Sequence, residues 1–291
     1  LAVAAISVVV AMAAPAARAQ ATQPTTQDGG DLTNLSLEDL MNVQVTSVSK
    51  TPQKASEAPA AVTVLTEEDI RRASLTSIPE ALRLSPGLDV SRVNANTWAI
   101  SSRGFNSVFA NKLLVLMDGR TVYSPLFSGV FWDVQEYLLE DIDRIEVISG
   151  PGGTLWGANA VNGVINITSK SAKDTQGVYV EGGGGNELRD FGGARFGGMI
   201  GSDTYYRVYG KYFERDNEDL LNGMAASDSW RMAQGGFRLD STPSSFETFT
   251  VQGDIYAGDD NVSTGGDSPL NGANVVGRWS RSFSDDSNLS L

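Results

Sequence analysis

Neither histidine nor cysteine occurs among the 291 residues. That excludes imidazole bases, thiol nucleophiles, disulfide frameworks and Cys/His zinc sites. Carboxylates are abundant, with 35 Asp and Glu against 22 Lys and Arg and a net charge of −13. Their spacing matches no metal-binding loop, and Arg71-Arg72 with the scattered acids read as solvated faces. The acidic balance argues against nucleic acid as a partner, because phosphate backbones are bound by clustered Lys and Arg. The loop that most invites a ligand-cradling reading is Gly150-Pro151-Gly152-Gly153. A phosphate loop needs Lys-Ser/Thr after its glycines, and here Leu155-Trp156 follow Thr154. Gly182–Gly185 opens no helical pattern, so the dinucleotide fingerprint is not met either. No catalytic residue, metal ligand or cofactor is therefore nominated. Four aromatics, Tyr123, Phe127, Phe131 and Trp132, fall within one short stretch. Aromatic side chains on a loop suit a large amphipathic ligand, although Phe131 and Trp132 fit a buried core equally well.

These residues need a scaffold, and the chain supplies its parts in order. Leu1 to Ala14 is apolar and uncharged, and Pro15 and Ala17-Arg18-Ala19 follow. This is the pattern of a secretory signal peptide, so residues 1–19 are expected to be removed on export. With no initiator Met and no basic leading segment, the chain is expected to begin inside that signal or at an alternative start. No later stretch approaches the ~20 apolar residues of a membrane helix. Residues 20–54 read as linker, with a short helix over Leu37–Met41 and an extended alternation at Val43-Gln44-Val45-Thr46.

Residues 55–170 read as a mixed α+β domain. Val62–Leu65 is strand-like, and Thr66-Glu67-Glu68-Asp69 gives an N-cap with an acidic first turn. Ser77-Ile78-Pro79-Glu80 starts a second helix, with Ala81, Leu82 and Leu84 as its apolar side. Further strands are expected at Leu88–Val90, Trp98–Ser101, Leu113–Met117 and Ile145–Ile148. The Gly150 turn is expected to be packed down by Leu155, Trp156 and Ala158. A second turn at Asn159 and Asn162-Gly163 leads into the strand Val164–Thr168.

After Lys170 the texture changes to long alternating segments. In Thr204–Arg215, Tyr206, Val208, Gly210 and Tyr212 share one face, and Tyr205, Arg207, Tyr209 and Lys211 the other. The same alternation runs through Ser229–Asp240, Thr248–Ala257 and Asn274–Phe283. Segments of about ten residues, apolar on one face and flanked by Tyr and Trp, characterise outer-membrane strands. A soluble antiparallel sheet alternates in the same way. Short turns are expected at Gly201–Asp203 and Ser241–Ser245, and longer loops at Asn217–Ser227 and Gly258–Gly272.

Several of these segments together resemble one family, the TonB-dependent outer-membrane receptors, in siderophore-receptor-like form. The matching residues are Ala58–Ile70, Ser102-Arg103-Gly104-Phe105, Leu114–Arg120, and Ile142–Val147 running into Gly150–Lys170. The resemblance implies an α+β plug domain over 55–170. The first strands of a transmembrane antiparallel β-barrel would follow over 176–291. Such barrels have 22 strands, and about ten residues per strand leaves room here for six or so. It implies no enzyme but an active transporter of the outer membrane that binds a scarce ligand, a ferric siderophore by default. Iron would enter only as part of that cargo.

The resemblance also assigns roles. Met41, Asn42, Val43, Gln44, Val45 and Thr46 are placed as the TonB box, the segment that adds as a strand to a TonB-type energy-transducing partner. Plug loops facing outward nominate Asn96, Trp98, Asn106, Phe109, Tyr123 and Phe127 as ligand contacts. Arg103, Gly104, Phe105, Glu146, Gly150, Pro151, Gly157 and Gly163 are nominated as structural residues of the plug. Outer-membrane lipid would cover the apolar strand face. One departure stands out: the family places Arg before the Gly-Pro, and this chain has Ser149. Anchoring of plug to barrel is therefore expected to be wired differently. The alternative reading is an exported binding or adhesion module without active transport.

Overall fold

A computed structural model describes residues 44–45, 53–54, 58, 60–262, 266–284 and 287–291. The signal segment, the helix expected at 37–41, and Met41, Asn42, Val43 and Thr46 lie outside the described residues.

The domain predicted over 55–170 is built on a mixed sheet. Its centre is a hairpin of β10 (Ile142–Ser149) and β11 (Gly163–Ser169), paired antiparallel with Ile145 opposite Ile167. β3 (Ala61–Thr66) flanks β10 antiparallel, and β6 (Leu113–Met117) flanks β11 in parallel, with Val115 beside Ile165. β7 (Arg120–Thr121) closes the far edge. A continuous run such as Leu-Leu-Val-Leu-Met is what a strand covered on both faces requires, and all of β6 is buried. Its two faces divide the core. Leu113, Val115 and Met117 join Leu65, Ile70, Ile78, Leu82, Trp98, Ile145 and Ile165. Leu114 and Leu116 join Ile148, Ala160 and Val164.

Short helices and hairpins cover the larger core. α1 (Glu67–Arg72) opens on a reciprocal cap: Thr66 Oγ1 accepts from the Asp69 amide at 3.3 Å, and Asp69 Oδ2 accepts from the Thr66 amide at 2.9 Å. α2 (Ile78–Leu82) has Pro79 in its first turn and buries Ile78, Ala81 and Leu82. Leu84, read as part of that apolar side, is exposed because the helix has already ended at Leu82. β4 (Leu88–Arg92) and β5 (Trp98–Ser102) form an antiparallel hairpin, and β8 (Tyr123–Ser124) pairs with β9 (Gly129–Val130). Near the N-terminus, β1 (Gln44–Val45) pairs with β2 (Gln53–Lys54). The Gly150 turn carries one helical turn, α3 (Gly153–Trp156), packed by Trp156 and Ala160. Ala158, expected to pack it, points outward.

Residues 177–290 form a seven-stranded antiparallel sheet in chain order. Its strands are β12 (Gly177–Gly183), β13 (Leu188–Ile200), β14 (Thr204–Arg215), β15 (Trp230–Ser244), β16 (Glu247–Val262), β17 (Gly266–Ser284) and β18 (Ser287–Ser290). The alternation holds residue by residue along β14 from Arg207 to Arg215. Arg207, Phe213 and Arg215 are buried, while Val208, Gly210 and Tyr212 are exposed. The Gly201–Asp203 turn and the long 216–229 connection fall where expected.

Two connections differ. Ser241–Ser245 was read as a turn, yet β15 runs to Ser244, with a register irregularity around Pro243 where a missing amide costs no ladder bond. Gly258–Gly272 was read as a loop, yet β16 and β17 stay paired from Gly258–Leu270 up to Val262–Gly266. Polar residues can extend a hairpin beyond its apolar band, since backbone pairing does not require an apolar face. Among the described residues no helix is long and apolar enough to cross a membrane, which leaves crossing by strands open.

Candidate functional site

Much of the inward face of the strand sheet is polar, and the plug-side domain answers it with acids, while Phe213, Trp230 and Met232 form an apolar patch on it. Asp118 sits at the β6–β7 turn with φ +49, followed by Gly119 at +82. Its carboxylate accepts from the Ser169 amide (2.8 Å), Ser169 Oγ (2.8 Å), Gln252 Nε2 (2.9 Å) and Tyr137 Oη (3.4 Å). Arg278 donates to its carbonyl at 2.7 Å, and Arg238 lies 4.0 Å from Oδ1. Burial, with the Asp118 charge beside it, pushes the Tyr137 phenol well up, so it is a neutral donor. One turn thus binds wall strands β15, β16 and β17.

A second group holds the other side. Arg195 pairs with Asp141, and Arg207 lies 3.7 Å from the same carboxylate while donating to the Lys170 carbonyl at 2.7 Å. Lys211 and Glu136 form a buried ion pair, and Lys211 also donates to the Tyr137 carbonyl at 2.9 Å. Gln234 donates to the Glu136 carbonyl at 2.6 Å. Arg207 and Arg238 stand opposite each other in the β14–β15 register. Like charges there would repel, and Asp141, Asp118 and Asp240 compensate them.

At the end bearing the 216–229 connection, the β4–β5 turn meets the wall. The Ala95 amide donates to Asp228 (2.8 Å), the Trp230 indole donates to the Ala95 carbonyl (3.0 Å), and Asn96 binds Asp260. Asn96 is therefore buried in a wall contact. Trp98, nominated as a ligand contact, belongs to the core, with Arg83 and Arg92 stacked on its ring at 5.2 and 5.8 Å. The reason is position: it starts β5, every residue of which is buried. Trp132 is likewise core.

The remaining aromatics do converge. Phe127 stacks on Phe131 at 4.1 Å and meets Phe109 at 5.2 Å, with Leu126 fully exposed at the loop tip. Tyr123 is half-buried at the base of the same hairpin, paired with Val130. Next to it, Arg103, Gly104 and Phe105 all take positive φ (+62, +87, +61). Phe105 is 83% exposed, and Lys112 Nζ lies 5.9 Å from its ring centre. Asn106 donates to Ser91 Oγ at 3.0 Å. Strained non-glycine residues of this kind persist only where their surroundings over-determine them, and they cluster at ligand clamps. The structure thus gathers Phe109, Tyr123 and Phe127, keeps Asn106 beside them, and separates Asn96 and Trp98.

The structural nominees occupy distinct places. Glu146 is fully buried, with Arg144 Nε 2.8 Å away. Gly163 faces the β10 backbone so closely that an added Cβ would lie 2.5 Å from the Ile148 carbonyl oxygen. Gly150 has φ +130, and a Cβ on it would lie 3.5 Å from the Arg103 guanidinium. Gly157 has φ +76, and Pro151 is exposed between these turns. Where the family Arg would stand, Ser149 lies against Gly87, its Oγ 3.6 Å from an added Cβ there. Of the proposed box, Gln44 and Val45 are described: they pair with Lys54 and Gln53, and Val45 is buried.

Sequence reasoning missed the acids Asp118, Glu136 and Asp141 as anchors. A signal was present in part: Arg207, Lys211 and Arg238 fall on the non-lipid face, and inward charges need partners. Which acids those are depends on docking, which no local pattern encodes. Among the described residues no group of three or more acids is arranged to hold a metal ion.

Residues 54–164 match the family model of the TonB-dependent receptor plug domain. A vitamin B12 transporter, BtuB of Vibrio vulnificus (strain CMCP6), is 32% identical over 147 residues, which is 50% of this chain and 23% of that protein. Two solved structures share the fold. The ferric yersiniabactin uptake receptor FyuA from Yersinia pestis has a TM-score of 0.63 at 19% identity, covering 80% of this chain and 39% of its own. The ferripyoverdine receptor of the outer membrane of Pseudomonas aeruginosa, bound to ferripyoverdine, has a TM-score of 0.63 at 16% identity, covering 83% and 34%. The chain therefore spans well under half the length of these relatives.

Proposed function

Starting from a TonB-dependent receptor plug domain at residues 54–164, docked on the polar face of the strands that follow it, we propose that the protein imports a scarce extracellular ligand across the bacterial outer membrane. A ferric siderophore is the preferred cargo. The observation that carries this reading is the character of the plug–wall contact. Beside one apolar patch, where Ala95 and Val134 meet Phe213, Trp230 and Met232, the plug is held by side-chain hydrogen bonds and ion pairs around Asp118, Glu136 and Asp141. Polar contacts of this kind can be exchanged for water when the plug moves. A passive pore would need no plug.

The cluster of Phe109, Phe127 and Phe131, with Tyr123 and Asn106 beside it, is the proposed binding surface. Stacked rings are rigid and lose little freedom when a bulky chelate docks. Import of chelated nutrients by the relatives supports this class of cargo. Coupling is assigned to Met41–Thr46, which would add as a strand to a TonB-type partner. Gln44 and Val45 are already extended and paired with Gln53 and Lys54, so that pairing must be exchanged when the partner adds.

Two variants of the full-length protein test the reading in cells supplied with radioiron-loaded catecholate and hydroxamate chelates. Phe109→Ala with Phe127→Ala should weaken surface binding at unchanged expression. Val45→Pro should keep binding and lose energised uptake, because proline removes the amide an added strand needs. Full uptake by Val45→Pro would rule out coupling through this segment.

A further inference from the structure

We propose that the plug holds the neck of the 216–229 connection closed, with Arg92 and Asp228 as positioning residues for cargo capture; this rests on the import reading above. The connection is a small folded unit. Asp219 bridges Ala225, and the Leu220 amide donates to the Met224 carbonyl at 2.8 Å. Reciprocal bonds close its neck. Asn217 Oδ1 accepts from the amides of Asp228 (2.8 Å) and Ser229 (3.0 Å). Asp228 Oδ1 accepts from the Glu218 amide (2.9 Å), and the Glu218 carbonyl accepts from the Ala226 amide (2.8 Å). Ser227 precedes Asp228 at φ +56, a strained conformation that such surrounding bonds can hold.

The plug grips both sides of this neck. The second oxygen of Asp228 accepts from the Ala95 amide at 2.8 Å, and both residues are buried by this chain alone. Across the neck, Glu218 pairs with Arg92 at 2.7 Å. Arg92 is oriented from the plug side. Its Nε donates to the Asn94 carbonyl (3.2 Å) and its Nη2 to the Ala95 carbonyl (3.4 Å), its guanidinium lies over Trp98, and it also pairs with Glu187. A carboxylate split between two amides serves two bodies at once. Withdrawing Ala95 leaves a buried charged oxygen without its donor, and turning Asp228 to water relieves that only by releasing Glu218. The neck therefore stays shut while the plug turn is seated. Between turn and connection lies a cleft of about 640 Å³, walled by Arg92–Asn94 on one side and by Glu218–Leu220 and Ala226 on the other. That is the size of a small-molecule site, and the two plug contacts set its width. Asp228 has both oxygens engaged, so it acts by position: a neck already shut spares the cargo the cost of ordering the connection.

The 291 residues contain no cysteine, so engineered thiols report cleanly. In the full-length protein, with any later cysteine replaced by serine, spin labels at Leu221→Cys and Asn271→Cys report the connection against wall strand β17. Both sites are exposed. The parent should give a narrow distance distribution. Asp228→Asn keeps one acceptor oxygen, loses the other, and should broaden it. Arg92→Met changes the plug alone, keeps its stem against Trp98, and should broaden it too. Asp89→Asn, exposed on the same plug hairpin, should leave it narrow. Broadening by Asp228→Asn without broadening by Arg92→Met means that Asp228 only folds its own loop, and this overturns the proposal. A narrow distribution in both variants overturns it equally, and this arm needs no cargo. In the second arm, surface binding and uptake of the radioiron-loaded chelates are titrated. In both variants the half-saturating concentration should rise about tenfold, the equivalent of one charge-assisted hydrogen bond, at nearly unchanged maximal uptake. Lost maximal uptake at unchanged half-saturation overturns the positioning role. If the parent neither binds nor imports any chelate, the import reading fails instead, and the label distances still decide whether the plug holds the neck.

Discussion

Replacing Asp118 by alanine should loosen the plug more than any other single change at the wall. The side chain satisfies the buried Ser169 amide and hydroxyl and Gln252, all within 2.9 Å, and it faces Arg238 at 4.0 Å. A hydrogen bond to a charged group contributes about 1.5–3 kcal/mol, and removing one partner leaves the others desolvated. Breaking a buried charge cluster in this way costs about 3–5 kcal/mol. Backbone strain adds to it, since φ +49 suits Asp or Asn better than Ala. At about 1.4 kcal/mol per factor of ten, the lower figure corresponds to roughly a hundredfold rise in the open population. Hydrogen exchange at Met117–Gly119 and Ser169 in the full-length protein reads that population directly. Asp118→Asn, which keeps the left-handed turn and one acceptor, should fall between alanine and parent. Exchange in Asp118→Ala within a factor of about two of the parent would refute the anchoring argument.

Two further outcomes follow from local geometry. Gly163→Ala should cost about 1–3 kcal/mol of plug stability, because its Cβ would lie 2.5 Å from the Ile148 carbonyl oxygen and 3.2 Å from Leu113 Cδ1. Gly157→Ala meets nothing within 4 Å and pays only for its φ of +76, so urea midpoints of the two variants separate packing from backbone strain. Burial, reinforced by the Asp260 charge, pushes the Asp133 carboxyl up to about 6. A raised acid favours its neutral form in the fold, so it destabilises the plug above that pH, and the penalty is relieved as pH falls through about 6. Asp133→Asn should therefore gain up to about 3 kcal/mol at pH 8, keep about half of that advantage at pH 5 and lose most of it by about pH 4; a pH-independent difference would show that the carboxyl is solvated.

The fold was legible where one residue's neighbours in sequence are also its environment. The run Leu113–Met117 announces a strand buried on both faces, and Thr66 with Asp69 announces a capped helix. Tyr205–Tyr212 announces a two-faced strand, and from Arg207 onward its exposed side alternates with the side that meets the plug. Legibility failed where the environment comes from afar. Trp98 heads a strand beside a loop that the resemblance turns outward, and nothing local shows that β4 and the larger core close around it. Asp118 looks like half of a turn dipeptide, and its partners Ser169, Gln252 and Arg278 lie 51, 134 and 160 residues away. The Gly258–Gly272 stretch has loop composition and yet pairs as strands, because a hairpin already in register can extend on backbone bonds alone. Of the proposed site, the aromatic cluster was readable as a tendency. Its membership, with Phe109 meeting Phe127 and Trp132 turned inward, was set by packing.

The order of the plug sheet also dictates when it can form. β10 and β11 occupy its centre, while β3 and β6, which precede them by dozens of residues, are added on either side. A chain emerging from its N-terminus therefore presents its most apolar segment, Leu113–Met117, before the strand it must pair with exists. The short hairpins β4–β5 and β8–β9 can pair early, but β3 must wait for β10 and the long edge of β6 must wait for β11. Non-local pairing of this kind folds slowly and exposes strand edges meanwhile. A mutation that weakens the central hairpin is therefore expected to act first on the yield of folded protein.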